Sequence, residues 1–140
     1  MSEIKSLQRM VAIQLMYQVS INPNEKDLDI KKALNEIIEA LNLNKLKKKS
    51  NLNFAINLFE GVKINKEAID QKIISSLGTS HTFNKFENLL KFILRSAVFE
   101  LSFYNNLSKK IVISEYLKIT DSFYSSKETS LINGVLDNIE

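Results

Sequence analysis

Between Asn84 and Tyr104, apolar side chains fall on nearly every side of a helix: Phe86, Leu89, Leu90, Phe92, Ile93, Leu94, Ala97, Val98, Phe99 and Leu101. A helix of this kind persists in water only when neighbours cover it all round. The segment therefore predicts a central, buried helix, and the rest of the chain has to supply its cover. Most of that rest carries helical periodicity. Ile4, Leu7, Val11 and Leu15 recur at three- and four-residue steps, flanked by Met10, Ile13 and Tyr17. This first helix should stop before Asn22-Pro23-Asn24. A second, from about Asp27, carries Ile30, Leu34, Ile37, Ile38 and Leu41. Residues 42–51 are polar and basic and read as a loop. A third helix runs from about Leu52 to Ile64. A fourth is capped by Asn65, carries Ile69, Ile73 and Leu77, and stops at Gly78. Thr79 to Thr82 reads as a connection, and Asn105-Asn106 ends the central helix.

A sixth helix spans about Ile111 to Phe123. A seventh opens with Ser125-x-x-Glu128, a capping-box pattern in which Ser125 accepts from the Glu128 amide and Glu128 reaches back. No segment reads as a strand. The 140 residues suit one domain spanning 1–140. The predicted fold class is all-α, a compact bundle of about seven helices around a central buried helix.

Composition narrows the chemistry. The chain has no cysteine, which removes disulfides, thiolate metal sites and cysteine nucleophiles. His81 is the single histidine, so a serine–histidine triad or a multi-histidine metal site has little to draw on. Gly61, Gly78 and Gly134 stand too far apart to form a phosphate-cradling loop. No catalytic residue, cofactor or metal site is expected. No run approaches the roughly 18 apolar residues of a membrane span, and MSEIKSLQRM does not read as a secretory signal. The expected location is the cytoplasm, with no membrane partner. The net charge of +3 comes almost wholly from lysine, Arg9 and Arg95 being the two arginines. A charge this small permits polyanion binding only through a local patch.

Five short motifs in order carry a family resemblance. Arg9-x-x-Ala12-x-Gln14-x-Met16-Tyr17 resembles "R-x-x-A-x-Q-x-L-Y", and Gly61-Val62 followed by Ile69-Asp70 resembles "G-V…[IL]-D". Ile93-Leu94-Arg95-Ser96-Ala97-Val98-Phe99-Glu100-Leu101 is similar to "ILR-x-A-x-[YF]-E-L". Ile111 to Tyr116 resembles "V-x-I-N-E", and Leu131-Ile132-Asn133-Gly134-Val135-Leu136-Asp137 is similar to "F-V-N-G-V-L-D". By these motifs, from about residue 5 to 139, the sequence resembles the NusB family. The resemblance implies a non-enzymatic, RNA-binding factor of transcription antitermination and termination. Its implied partners are the ribosomal protein NusE, a single-stranded boxA element in ribosomal RNA leader transcripts, and the antitermination complex on RNA polymerase. Some family members self-associate, so the implied state is a monomer or weak homodimer. The sequence departs from the family where an arginine-rich run is usual. Lys5-Ser6-Leu7-Gln8-Arg9 keeps two charges there, and Ser108, Ser114 and Thr120-Asp121 replace the usual Pro, Asn and Ala-Lys.

The residues that could carry RNA binding are Lys5, Arg9, Tyr17, Ser126 and Lys127. Lys5 and Arg9 lie four apart on one helix face, where each can neutralise a phosphate. Tyr17, near the edge of that face, offers a ring on which an unpaired base can stack. Ser126 and Lys127 open the last helix, whose positive end favours an anion. The same residues also fit a solvated first turn, a half-buried tyrosine and ordinary capping by Ser125. Lys45, Lys47, Lys48 and Lys49 read as a solvated run. By resemblance, NusE docks on the second half, with Phe103, Tyr104, Glu115, Tyr116 and Lys118 as candidate contacts. Arg95 and Glu100, five apart in an apolar helix, each require a partner elsewhere. Asn133 and Gly134 suggest close helix packing and a buried amide bond. Two other functions fit the residues: a NusB-like domain of the type found at the front of ribosomal RNA cytosine methyltransferases, and a protein-binding helical module without RNA.

Overall fold

The computed structural model describes residues 3–22, 27–47, 51–104 and 107–139, with the backbone alone at residue 80. Its contacts gather into two compact units, Met1–Glu60 and Gly61–Glu140. Every described element is helical or a turn, in keeping with the all-α expectation.

The first unit holds α1 (Glu3–Ile21), α2 (Ile30–Ala40), α3 (Asn44–Lys47) and most of α4 (Asn53–Ile64). On α1 the apolar rows bury Val11, Ala12, Ile13, Leu15 and Met16 against α2 and α3. Asp29 caps α2 by accepting from the Lys32 amide at 3.1 Å. α2 then turns its Leu34, Ile37 and Ile38 stripe inward. The stretch read as a loop instead folds one helical turn, α3, because Leu46 has an apolar site to fill and is buried there. Of the lysine run, Lys45 pairs with Glu3, while Lys47 bonds Asn42 and stands 3.6 Å from Glu39. Lys48 and Lys49 lie outside the described residues, as do Pro23, Asn24, Asn105 and Asn106.

The start of α4 is capped from a distance. Leu52, which precedes it, has no side-chain oxygen, yet the first amides of a helix need acceptors. Asn51 accepts from the Asn53 amide at 2.9 Å. The buried Gln8 of α1 accepts from the Ala55 amide at 3.0 Å and donates to the Asn51 carbonyl at 3.2 Å. One glutamine thus ties α1 to α4 with both ends of its amide.

The second unit begins inside the last turn of α4 and contains α5 (Lys66–Leu77), α6 (Ser80–Asn84), α7 (Asn88–Phe99), a π-helical turn (Glu100–Tyr104), α8 (Lys109–Phe123) and α9 (Ser126–Asp137). The central helix is α7, packed against α5, α8 and α9. It is shorter than the Asn84–Tyr104 expected. The segment read as a connection before it forms α6, and Phe83 is buried there. With α3 and α6 added, the described residues form nine α-helices where the periodicity suggested about seven. Both additions are too short to show a periodic stripe.

Arg95 and Glu100 find their partners across elements. The Arg95 guanidinium forks onto Asp70 of α5, Nε to Oδ1 at 2.7 Å and Nη2 to Oδ2 at 3.1 Å. Its carbon also lies 5.4 Å and 5.1 Å from the ring centroids of Phe83 and Phe92. Glu100 accepts from the hydroxyl of Tyr116 on α8. Lys109 closes the C-terminus of α9 by donating to the carbonyls of Asp137 and Ile139 at 3.0 and 2.7 Å.

Two expected glycine and cap roles are corrected. Gly134 and Asn133 are exposed, and a Cβ built at Gly134 meets nothing within 4 Å. The close approach occurs at Gly61, where an added Cβ would meet three atoms of the Phe99 ring, the farthest at 2.9 Å. Asn65 does not cap α5; its side chain donates back to the Gly61 carbonyl at 2.8 Å. Gly78 does end α5, in the left-handed conformation at φ 84°.

Opposite outcomes follow for two glycine substitutions. Gly61→Ala should lose about 1–3 kcal/mol by overpacking against Phe99. Gly134→Ala should gain about 0.5–1 kcal/mol from helix propensity alone. Thermal melts of the two variants check both signs. Asp70→Ala, which strands the Arg95 guanidinium, should lose about 2–3 kcal/mol in a urea titration, somewhat under the loss for a wholly buried pair.

Candidate nucleic-acid interface

α1 presents Lys5 half-buried and Tyr17 at 39% exposure. Twelve residues apart, they stand about 18 Å apart along the axis and about 120° apart around it. Arg9 corrects the expectation of a paired cationic face. Its exposure is 0%, so no phosphate can reach it. Its guanidinium carbon lies 5.1 Å from the Phe54 ring centroid, and the Lys5 ammonium lies 5.3 Å from the same centroid. Phe54 escaped the sequence reading because nothing in a single helical stripe says which ring of another helix a cation will meet.

In the second unit, Ser126 and Lys127 are exposed at the start of α9. Ser125 does not cap the helix as expected. Its hydroxyl turns to donate to the Glu128 carboxylate at 2.7 Å and accepts from no amide of the helix start. The Glu128 carboxyl is held below its ordinary range, first by that hydroxyl and then by the backbone amides of Glu128 and Ser125. One half of the capping box therefore forms, with Glu128 reaching back. The anion at this positive helix end is the chain's own carboxylate, and Lys127 adds attraction to it. Beside it, the Tyr124 hydroxyl donates to Glu87 at 2.7 Å, and burial first, then that carboxylate, pushes its ionisation up.

The partner candidates divide by burial. Phe103 is 41% exposed on the π-helical turn, stacked on Phe99 at 6.1 Å and 13°. Tyr104 is half-exposed and tilted over the same ring at 6.3 Å. Lys118 is open to solvent. Tyr116 and Glu115 are corrected as surface contacts. Tyr116 is fully buried with its hydroxyl on Glu100, and Glu115 is buried with its carboxylate 3.3 Å from Lys118. Their apolar neighbours on α8 turn inward, and the helix period carries these two with them.

Among the described residues, no cluster of three or more His, Asp or Glu is placed to hold a metal ion. No described helix is long and apolar enough to cross a membrane.

The Glu128 arrangement has a pH consequence. A carboxyl whose folded value lies below its unfolded one contributes stability above the unfolded value and loses it as pH falls through the folded value. Ser125→Ala should move the Glu128 titration back toward the ordinary range, as followed by NMR of its carboxyl carbon.

A sequence model of the NusB family matches residues 6–140. A transcription antitermination protein NusB of Caulobacter vibrioides is 28% identical over 139 residues, covering 96% of this chain and 91% of its own length. That of Aliarcobacter butzleri is 34% identical over 110 residues, covering 79% of each chain. Among solved structures, T. maritima NusB superposes with a TM-score of 0.77 at 23% identity, covering 98% of this chain and 90% of that one. A chain from the crystal structure of a plectonemic RNA supercoil gives 0.78 at 22%, covering 98% and 93%. With a family match running through nearly the whole sequence and helices arranged as in a solved relative, the chain belongs to the NusB family.

Proposed function

We propose that the chain is a non-enzymatic, cytoplasmic adaptor of transcription antitermination, acting over residues 1–140 as one NusB-like domain. It pairs with a NusE-type ribosomal protein, and the pair holds a boxA-type single-stranded RNA for the antitermination complex on RNA polymerase. The observation that carries this reading is the match along 6–140 to a family whose relatives bear the antitermination name. The residues fit the role. Lys5 and Lys127 supply cations, Tyr17 supplies a ring, and Ser126 lies beside Lys127 at the exposed start of α9. Phe103, Tyr104 and Lys118 offer the partner an aromatic and charged surface. A half-buried Lys5 and an exposed Lys127 each offer one phosphate contact, so RNA binding by the chain alone is weak and the partner has to complete it.

A second reading, a protein-binding helical module without RNA, draws on one observation: the burial of Arg9 leaves Lys5 as the basic residue of that run with access to solvent.

Titration of a boxA-type RNA with and without the NusE partner, at two salt concentrations, separates the two. The adaptor reading expects weak binding alone and a gain of about tenfold or more with the partner, equivalent to about 1.4 kcal/mol. Lys5→Glu with Lys127→Glu should flatten the log–log salt dependence by about 1.4, at roughly 0.7 per lost phosphate contact, and leave partner binding intact. Absence of RNA binding with the partner present would favour the second reading.

A further inference from the structure

The opening of α1 sets two cations against one ring. Lys5 and Arg9, four residues apart, are neighbours on the helix surface, and lie 5.3 and 5.1 Å from the centroid of Phe54 in the first turn of α4. Their surroundings differ. Arg9 is sealed from solvent, whereas Lys5 and Phe54 are each half-buried. The ring is also well anchored. The chain before and after it is tied to Gln8 of α1, through the Asn51 carbonyl at 3.2 Å and the Ala55 amide at 3.0 Å. Arg9 and Gln8 thus fix Phe54 relative to α1, and the ring presents its negative face to the one cation of this group that reaches water.

A free lysine on a helix samples many rotamers, and ordering it on binding opposes affinity. An ammonium already resting on a fixed ring has lost part of that freedom beforehand. We propose that Phe54 is a positioning residue for Lys5: its ring holds the ammonium where a backbone phosphate of single-stranded RNA meets it, and Arg9 secures the ring from the buried side. This rests on the RNA-binding reading above. It gives the one arginine retained from the usual basic run an interior role, and it ties RNA affinity to an aromatic residue that touches no RNA.

The test uses the full chain and its variants Lys5→Gln, Phe54→Leu, Phe54→Tyr and the double variant Lys5→Gln/Phe54→Leu, with Phe54→Met as a second ring-free side chain if leucine loosens the fold. The first readout needs no RNA. The ε-methylene protons of Lys5 should show an upfield ring-current shift in NMR, lost in Phe54→Leu and kept in Phe54→Tyr. The second is the salt dependence of boxA-type RNA binding in the presence of the NusE partner. Lys5→Gln and Phe54→Leu should each flatten the log–log slope by about 0.7. Phe54→Tyr should preserve it, and the double variant should fall no further than the singles. A Lys5 signal that ignores the ring, or single effects that add in the double variant, would overturn the positioning role while leaving the RNA reading standing. A Lys5→Gln protein that binds RNA like the parent would instead overturn the Lys5 phosphate contact, and the proposal with it.

Discussion

A guanidinium inside the most apolar helix of the chain sets the terms for everything packed around it. Arg95 sits among Ile93, Leu94, Ala97 and Val98, all buried. A charge there is tolerated only if it is paired and hydrogen-bonded. Asp70 reaches it with both carboxylate oxygens from α5, while Phe83 from α6 and Phe92 from α7 itself lie against it. A two-pronged ion pair has little tolerance for sliding, so it specifies how α5 stands on α7 more narrowly than apolar contacts do. The Glu100–Tyr116 bond repeats the device between the π-helical turn and α8.

The first unit solves a similar problem with other means. Arg9 is buried against the quadrupole of Phe54, and Gln8 spends both ends of its amide on the start of α4. Charges and amides engaged in this way are withdrawn from the surface. Of the candidate binding residues, Lys5 stays half-buried and Tyr17 exposed on α1, while in the second unit Ser126, Lys127, Lys118 and Phe103 are exposed.

Much of the fold was legible in the sequence because burial is periodic. The rows on α1, α2 and α5 turn Val11, Leu15, Leu34, Ile37, Ile38, Ile69 and Ile73 inward as their spacing requires, although Tyr17 and Leu41 at the row ends stay exposed, and Gly78 ends α5 where its backbone freedom is needed. The short helices α3 and α6 were not legible, since four or five residues show no period and depend on one buried side chain each, Leu46 and Phe83. The candidate site was legible only in part. Arg9, Glu115 and Tyr116 carry polar groups that suit a surface contact, yet each is buried against a partner or packing surface that the sequence does not name. The motif containing Ile69-Asp70 already held the partner of Arg95, without anything to say so.

The sequence by itself determined the helical class, the central helix, the absence of cysteine chemistry and the family, because these follow from period, composition and the order of short motifs. Only the tertiary structure decided which charges do interior work. Gly61 and Gly134 show the same division: they are identical in sequence terms, yet Phe99 crowds one and open space surrounds the other. The physical reason is that a side chain's exposure and partners depend on which helix arrives opposite it. That is a long-range outcome, which local spacing does not encode.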